Sequence, residues 1–306
     1  MNLKTLYPVI SRADALENQA DYYYDQAEAD DVIFFFENLL KHSKGRFAGK
    51  PFIPQPWQRD FLETLFGWKS VKTGFRRFKT VFLTCAKKNG KSTLMAGLSL
   101  YLLTADREPS AEIYNVASDV NQASLVFREA TLMIKSSETL GNMLDINASR
   151  RNISDESTNS FCRVLPGSDF RIEGLNSHGV FLDELHCQRD RRLFDALKFS
   201  GSARDQSVFC MATTAGFDKS SIAFDQYKYA KQVIADPDFD PSFLPLVYEP
   251  ADAEDWKTEE AWKQANPSFG VTLNSDTFDS DFREAEQSLT QQNAFRRYRV
   301  NQWVAQ

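Results

Sequence analysis

Short hydrophobic runs alternate with amphipathic stretches through the middle of the chain. The hydrophobic runs predict strands at about 78–84, 111–117, 179–185 and 207–216. Apolar side chains spaced three and four residues apart predict helices at about 91–105, 119–136, 190–199 and 219–234. Asp119 is a candidate N-cap for the second of these helices. Shorter β-like runs are predicted at 152–156, 160–165 and 169–174.

The two ends of the chain differ from this middle part. Residues 11–42 carry two apolar stripes at helical spacing, and Asp30 and Asp31 are placed to begin the second helix. Near Asp236 an acidic, proline-marked stretch predicts a break, after which residues 243–248 resemble an edge strand because they contain Pro245. Three further helices are predicted at 259–264, at 276–288 and around Arg296, Arg297 and Arg299. The expected division is a helical segment (1–50), a core (51–235) and a lid or linker subdomain (236–306).

A polar loop joins the first core strand to the helix that follows it. Gly90, Lys91 and Ser92 open the helical pattern, and a helix N-terminus attracts phosphate through its free N–H groups and its dipole. Lys91 would reach the β- and γ-phosphates, and the Ser92 hydroxyl would bind Mg²⁺. The usual pattern is broken because Cys85 stands where its first glycine should be. A lysine-rich turn before a helix is the alternative interpretation.

Two acids end the hydrophobic run that begins at Gly179. In a parallel sheet, ligands gather at the carboxyl ends of strands. Asp183 would hold Mg²⁺ there, directly or through water, and Glu184 would orient and deprotonate an attacking water. The alternative is an ordinary acidic strand exit. Thr213 and Thr214 end the next run, where their hydroxyls either contact a γ-phosphate or form a simple turn.

Two further features allow both a functional and a structural interpretation. The Gln58 side chain can donate to and accept from an adenine edge at once, but Trp57 could equally be a core anchor beside a solvated Gln58. Arg76 and Arg77 precede the first core strand. Such a cluster is usually solvated and protects a sheet edge, and contact with a DNA backbone is the alternative.

Composition limits the class of protein. With 42% hydrophobic and 25% charged residues the chain is ordinary for a soluble globular protein, and no run approaches the length of a membrane span. The N-terminus lacks a signal-peptide core, which favours a cytosolic location. A net charge of -6 argues against a globally basic nucleic-acid binder but allows a local basic face. The four cysteines form no C-x-x-C pair, so free buried thiols are expected rather than a zinc site.

Taken together, these motifs resemble the large terminase subunit of tailed bacteriophages. A lysine-rich phosphate loop without its first glycine, joined to a Thr-Thr-Ala element, is specific to terminase-like motors among ATPases. The resemblance covers about 250 of the 306 residues, in family order. The matching stretches are 56–61 with 65–68, then 87–92, 179–184, 212–216 and 295–303.

The resemblance implies an α/β fold of the P-loop NTPase type, in the additional-strand, catalytic-glutamate class. A central, mostly parallel sheet would be flanked by helices. The implied activity is Mg²⁺-dependent ATP hydrolysis that drives double-stranded DNA into a procapsid. The implied partners are DNA, the portal protein, the small terminase subunit and further copies of the chain in a ring, a pentamer in the family, without a membrane. The implied location is the host cytoplasm, with transient docking on the procapsid.

The resemblance also implies roles for individual residues. Gln58, with Trp57 beside it, corresponds to the adenine-sensing glutamine. The loop that contacts the nucleotide corresponds to Ala86, Lys87, Lys88, Asn89, Gly90, Lys91, Ser92 and Thr93, with Lys87 or Lys88 as an extra basic residue near the phosphates. Asp183 and Glu184 correspond to the Walker B pair. The element that couples hydrolysis to movement corresponds to Thr213, Thr214 and Ala215.

Ring motors of this kind often receive an arginine from a neighbouring copy, because the guanidinium charge is permanent and its fork is planar. Arg171 is the preferred candidate, since the β-like segment before Asp183 could project over a neighbour's site. Arg163 and Arg204 are alternatives, and a surface arginine is an equally good interpretation of each.

Complete large terminases also carry a ribonuclease-H-like nuclease domain. The acids after residue 236 lie in predicted loops rather than at the end of an apolar strand, so no nuclease active site is expected in this chain. The chain is therefore expected to be a fragment of a protein that also cuts DNA. Two rival functions remain. A helicase-like translocase would need a second motor domain, for which 236–306 is too short, and a non-hydrolytic nucleotide-binding interaction module belongs to a different class.

Overall fold

The computed structural model describes residues 2–166, 174–252 and 254–304. The described strands are β1 (Tyr22–Tyr24), β2 (Trp68–Ser70), β3 (Thr80–Thr84), β4 (Glu112–Ala117), β5 (Asp145–Asn147), β6 (Asn152–Asp155), β7 (Ser160–Pro166), β8 (Gly179–Leu182), β9 (Val208–Thr213) and β10 (Phe243–Val247). The described helices are α1 (Leu3–Leu6), α2 (Arg12–Glu17), α3 (Gln26–Leu39), α4 (Pro56–Gly67), α5 (Lys91–Thr104), α6 (Val120–Lys135), α7 (Glu138–Met143), α8 (Arg191–Phe199), α9 (Ile222–Ala235), α10 (Glu259–Ala265), α11 (Ser275–Gln287) and α12 (Leu289–Tyr298). Short 3₁₀ turns lie at Gly45–Phe47 and Leu185–Cys187. All but the last residue of the β-like run predicted at 169–174 lies outside the described residues.

The central sheet has the strand order β10-β3-β9-β8-β4-β7-β6-β5. Strands β10 to β7 in this order are parallel, and β6 and β5 continue the sheet in antiparallel pairing. Residues of β8 and β9 are buried along the whole length of both strands, as is usual where helices cover both faces of a sheet. The predicted α/β fold with a mostly parallel sheet is confirmed.

Side chains of each strand alternate between two apolar layers. Val81 and Leu83 of β3 pack in a layer with helices α3 to α6, whereas Phe82 packs on the opposite face with α8 and α9. This double cover fixes the edge of the sheet at which β3, β8 and β9 end, and the loops that leave those strands lie side by side there.

Helices α10 to α12 enclose a separate aromatic cluster that includes Trp256, Trp262, Phe278 and Phe295. β10 does not belong to this cluster, although it lies within the range 236–306 that the sequence assigned to an appended subdomain. It pairs with β3 in parallel, so Leu244 and Leu246 complete the main core instead. The other predicted domain boundaries stay predictions.

The N-terminal region departs from its predicted helices. Tyr23 and Tyr24 lie in β1, which pairs antiparallel with β2, rather than on a helical stripe. α3 begins at Gln26 instead of near Asp30, because the Asp25 side chain caps it by accepting hydrogen bonds from the N–H groups of the first turn. The predicted N-cap at Asp119 is confirmed, since its side chain accepts from the second and third residues of α6.

Arg76 and Arg77 are not solvated, so that prediction is wrong. Arg76 is 2% exposed and its guanidinium lies 2.5 Å from Asp106 Oδ1, while His178 Nε2 contacts the other oxygen of the same carboxylate at 2.6 Å. Arg77 packs over the ring of Tyr22, with 4.4 Å between the guanidinium carbon and the ring centre. Partners distant in sequence thus neutralise or cover both cations.

Cys85, Cys162 and Cys210 are free and buried, as predicted, whereas Cys187 is exposed because it lies in the turn after β8. None of the helices in the described part of the chain is both long enough and apolar enough to span a bilayer.

Candidate functional site

The predicted loop and the predicted acids meet at the carboxyl edge of the sheet. Ser92, in the first turn of α5, donates a hydrogen bond from Oγ to Asp183 Oδ2 at 2.7 Å. The two residues are 91 positions apart, and the parallel pairing of β3, β9 and β8 brings them together. A hydroxyl and a carboxylate therefore point at one place beside the N-terminus of a helix.

The loop adopts its shape without the glycine that the usual motif carries. Gly90 is the N-cap of α5 with φ +85°, and Lys88 has φ +73°, so the left-handed positions lie late in the loop. Cys85 contributes its carbonyl oxygen, which accepts a hydrogen bond from Lys91 Nζ at 2.8 Å. Lys91 Nζ also donates to the carbonyl of Ala86 at 3.1 Å. The ammonium group thus lies against the start of its own loop.

Thr213, which ends β9, and Thr214, which follows it, connect the phosphate loop to the acidic turn after β8, which contains Asp183 and Glu184. Thr214 Oγ1 accepts from Lys91 Nζ at 3.1 Å and donates to the carbonyl of Cys85 at 3.2 Å. Thr213 Oγ1 accepts from the backbone N–H of His186 at 3.0 Å. Both hydroxyls are buried. A movement of the phosphate loop would therefore disturb the hydrogen bonds of Thr214, and a movement of the acidic turn would disturb that of Thr213.

Glu184 has an unusual backbone for a residue with a side chain. Its φ of +53° and ψ of +49° lie in the left-handed region, which is a strained conformation that often marks a functional position. Glu184 Oε2 lies 3.2 Å from His186 Nδ1, but it is buried without a hydrogen-bond partner among the described residues. This carboxylate oxygen is available to accept a proton or a hydrogen bond.

His186 does not neutralise Glu184. Burial, together with the positive charges of Lys87, Arg297 and Lys91, lowers the pKa of His186 to about 4. The imidazole is therefore uncharged at neutral pH. The sequence alone did not indicate a role for His186, because a lone histidine in a turn carries no pattern of its own.

Asp183 and Ser92 form a pair that suits a hard cation. Burial raises the pKa of Asp183, the charge of Glu184 raises it further, and the hydrogen bond from Ser92 opposes both. Mg²⁺ prefers oxygen ligands and usually takes one or two from the protein, with water and substrate phosphates as the rest. A carboxylate and a hydroxyl 2.7 Å apart fit that donor set.

Lys87 and Lys88 have different surroundings. Lys87 Nζ lies 3.9 Å from the ring centre of Tyr298, and the Lys87 N–H donates to the Tyr298 carbonyl at 2.9 Å. Its charge contributes to the lowered pKa of His186, which places it near the acidic turn. Lys88 is exposed, and its carbonyl accepts a hydrogen bond from Thr272 Oγ1.

A cavity of about 480 Å³ opens beside the loop. Gln58, Gly90 and Thr93 form part of its wall. Much of the remaining wall is apolar and comes from Phe47, Pro51, Phe52, Ile53 and Val271. Gln58 Oε1 accepts from the backbone N–H of Gln55 at 2.9 Å, which fixes the orientation of the side-chain amide. A flat, apolar ring with polar edges would suit this cavity.

Trp57 and Asn89 connect the region of the phosphate loop to residues near the C-terminal end of the chain. Trp57 is 7% exposed, and its Nε1 donates to Ser268 Oγ at 3.0 Å. Asn89 is buried, donates to Asn266 Oδ1 at 2.8 Å, and accepts from the Ser268 N–H at 3.0 Å. The structure thus gives Trp57 the anchoring role that the sequence left open. Asn266 and Ser268 were missed, since no local pattern links them to a loop 177 residues earlier.

Asn301 was also missed as a site residue, although it lies in the closing motif at 295–303. Its Nδ2 donates to Thr84 Oγ1 at 3.0 Å and to the Tyr248 carbonyl at 2.7 Å. Its Oδ1 accepts from the Ala215 N–H at 2.8 Å. One buried amide therefore joins the residues at the ends of β3, β9 and β10.

The three arginines considered as donors to a neighbouring copy have different surroundings. Arg204 pairs with Glu108 at 2.6 Å and donates to the carbonyl of Ser110, just before β4 begins. It therefore lies at the amino edge of the sheet, opposite the site of its own chain, and a role of Arg204 toward a neighbouring copy stays a prediction. Arg163 is exposed on β7 with its guanidinium carbon 4.1 Å from the Phe161 ring centre. Arg171 lies outside the described residues.

Comparisons with known proteins agree with this geometry. The family described as "Terminase large subunit, ATPase domain" matches residues 56–232. The large terminase subunit of Enterobacteria phage HK97 is 25% identical over 280 residues, which is 90% of this chain and 53% of that protein. Protein YmfN of Escherichia coli K12 is 21% identical over 133 residues, covering 44% of this chain and 29% of that protein.

Solved structures show the same fold. The HK97 large terminase matches with a TM-score of 0.77 at 22% identity, covering 90% of this chain and 55% of that one. The large terminase of a thermophilic bacteriophage matches with a TM-score of 0.51 at 12% identity, over 74% of this chain and 48% of that one. The chain spans about half the length of these large terminases. Because the family match covers more than half of its residues, the chain belongs to the ATPase-domain family of the phage terminase large subunit.

Proposed function

We propose that this chain hydrolyses ATP and that the whole terminase uses this reaction to drive double-stranded DNA into a procapsid. The observation that carries the proposal is the hydrogen bond between Ser92 and Asp183 at the N-terminus of α5. It brings the end of a phosphate loop, a candidate metal pair and the adjacent Glu184 to one edge of the sheet. Family membership supports the same reaction.

The nucleotide would lie along the loop. The free N–H groups at the start of α5 would bind phosphate oxygens, and Lys91 would exchange the carbonyls of Cys85 and Ala86 for the β- and γ-phosphates. Adenine would occupy the cavity of about 480 Å³, where the Gln58 amide would read its edge.

Chemistry would take place beside Glu184. Ser92 and Asp183 would hold Mg²⁺, which when bound neutralises charge on the phosphates. Glu184 Oε2 would accept a proton from the attacking water, because this oxygen has no other partner among the described residues. Thr214 shares a hydrogen bond with Lys91 and Thr213 with His186, so the pair would respond to loss of the terminal phosphate and couple hydrolysis to movement.

The remaining proposals concern the assembly. Copies of the chain would form a ring, a pentamer by family resemblance, and Arg171 of one copy would reach the site of the next. The ring would grip DNA through its phosphates, so binding should weaken with salt and ignore sequence. The portal protein and the small terminase subunit would be its partners at the procapsid, in the host cytoplasm. The intact protein, with a further domain, would also cut DNA.

Phosphate release from ATP tests the activity. We expect release in Mg²⁺, none in EDTA, and a loss of about 10²-fold or more in Glu184→Gln, while a fluorescent ATP analogue still binds. Hydrolysis retained in Glu184→Gln would remove the catalytic role of Glu184. Binding without hydrolysis, even with DNA, portal and small subunit present, would favour the non-hydrolytic interaction module.

A further inference from the structure

Arg297 is a cation near the acidic turn to which the sequence assigned no role of its own. It lies in the last turn of α12, and its guanidinium carbon is 4.8 Å from the ring centres of both Phe217 and Tyr298. Phe217 comes two residues after Ala215, in the segment that follows β9. A planar guanidinium stacks well on aromatic rings, so its position is defined without any acid.

One nitrogen of the guanidinium lacks a polar partner in the described part of the chain. Arg297 Nε is buried, and no hydrogen bond reaches it from the residues that the structure describes. Arg299, two residues further along the chain, is paired instead, because it lies 2.6 Å from the carboxylate of Asp281. A buried donor on a charged group is costly when it has no acceptor. An anion bound beside Arg297 would supply the missing acceptor.

Lys87 is a second cation near the acidic turn, although it lines a different cavity from Arg297 and the two cavities share Tyr298. Lys87 Nζ lies over the Tyr298 ring that Arg297 also contacts, and the charges of both residues contribute to the lowered pKa of His186. An anion near both cations would offset their mutual repulsion. Arg297, Tyr298 and His186 also line one cavity of about 600 Å³. His186 in turn lies 3.2 Å from Glu184, so one wall of this cavity adjoins the proposed site of hydrolysis.

The geometry points to Arg297 as a ligand of the terminal phosphate of ATP, supplied in cis by the same chain. This inference rests on the proposed function. The guanidinium fork would donate hydrogen bonds to oxygens of the terminal phosphate. ADP lacks that phosphate, so Arg297 would favour ATP over ADP and would report the loss of the phosphate to α12. Lys87 donates its N–H to the Tyr298 carbonyl, which fixes α12 to the loop.

Nucleotide affinity tests this assignment without hydrolysis. Dissociation constants of a fluorescent non-hydrolysable ATP analogue and of fluorescent ADP would be measured on the full chain in Mg²⁺. For Arg297→Ala we expect affinity for the ATP analogue to fall by about 10-fold or more, as for other charged hydrogen bonds, with ADP affinity within about twofold. Arg297→Gln, which keeps a stacking planar group without the charge, should show the same selective loss if the alanine variant fails to fold.

Arg191→Ala is the matched control. Arg191 lines the same cavity, but Asp195 and Asp225 pair with it at 3.3 and 3.5 Å, so this variant should bind both nucleotides like the wild type. An equal loss of ATP-analogue and ADP affinity in the Arg297 variants, or no loss in either, overturns the inference. Lys91→Ala separates the two proposals. If the wild type binds neither nucleotide, or Lys91→Ala binds both normally, the proposed function itself is wrong.

Discussion

The side-chain oxygen of Asn301 accepts a hydrogen bond from the Ala215 N–H at 2.8 Å, so the closing motif holds the turn that follows β9. The nitrogen of the same amide reaches Thr84, the last residue of β3, and the carbonyl of Tyr248 after β10. Asn301 is 2% exposed. This one side chain thus sets the spacing between the phosphate loop and the proposed coupling element.

Removing that amide should destabilise the fold. Asn301→Gly leaves the Ala215 N–H and the Tyr248 carbonyl buried without partners, at about 1–3 kcal/mol for each group. Glycine tolerates the φ of +53° at this position, so the change isolates the loss of the amide from backbone strain. Urea denaturation should show a free energy of unfolding lower by about 3 kcal/mol in total. Exposed Gln291→Ala serves as the control, and a glycine variant as stable as the wild type would contradict the role.

Lys87 and Lys88 should contribute unequally to turnover. Lys87 lies against Tyr298 with its charge near His186, whereas the exposed Lys88 contributes its carbonyl to Thr272. We expect Lys87→Ala to lower the rate of phosphate release by about 10²-fold, as for the removal of one preorganised charge from an active site. Lys88→Ala is the matched neighbour and should stay within about threefold of the wild type, since its backbone contact is kept. The reverse order would assign the phosphate to Lys88.

Gln58 should control the choice of base. Gln58→Glu keeps an acceptor for the Gln55 N–H, and so preserves the start of α4, but it removes the amide donor from the cavity. We expect ATP affinity to fall by about 10-fold, equivalent to about 1.4 kcal/mol, and the preference for ATP over GTP to shrink with it. Competition against a fluorescent nucleotide gives both values. An unchanged ATP-to-GTP ratio would remove Gln58 as the base reader.

Asp106 should give the fold a defined dependence on pH. Burial alone would raise the pKa of Asp106, but Arg76 and His178 outweigh it and hold the pKa below its ordinary value of 3.8. The folded state therefore binds the proton more weakly than the unfolded chain does. The stabilisation is complete above the ordinary pKa and is lost as pH falls through the lower folded value.

Denaturation of Asp106→Asn measures this stabilisation. At neutral pH the variant leaves Arg76 buried without its counter-charge and should lose about 3–5 kcal/mol. The difference from the wild type should shrink as pH falls below the ordinary carboxyl pKa. Asp31→Asn removes the exposed partner of Arg107 and should cost less than about 1 kcal/mol at any pH. A constant difference between Asp106→Asn and the wild type down to the acid limit would contradict the assignment.

Local patterns predicted the strands and helices of the core well, because those elements depend on the spacing of apolar residues and on short-range caps. The edge of the sheet at which Asp183 and Ser92 meet followed from the strand-loop-helix order and from the rule for parallel strands. The start of α3 was misplaced, since Asp25 and Asp30 are both acceptable first-turn acids and only the observed hydrogen bonds decide between them.

Long-range partners explain most of what the sequence did not predict. In the sequence Arg76 resembles a solvated cation. In the fold it pairs with Asp106, 30 residues away, and His178 contacts the same carboxylate. The orientations of Trp57 and Asn89 depend on Ser268 and Asn266, which come from the far end of the chain. Arg297 and Asn301 lie in the closing motif at 295–303, but only the fold shows that Arg297 lines a cavity and that Asn301 joins residues at the ends of three strands.

The outermost described strands limit how copies of the chain can associate. β10 carries Pro245, which has no N–H to donate, and β5 spans only Asp145–Asn147. Neither margin offers a long ladder of free backbone groups to a neighbour. Copies arranged in a ring would therefore touch through side chains instead of sharing one continuous sheet. Contacts between side chains could break and re-form with each turnover, whereas a shared ladder of backbone hydrogen bonds would hold adjacent copies in one fixed arrangement.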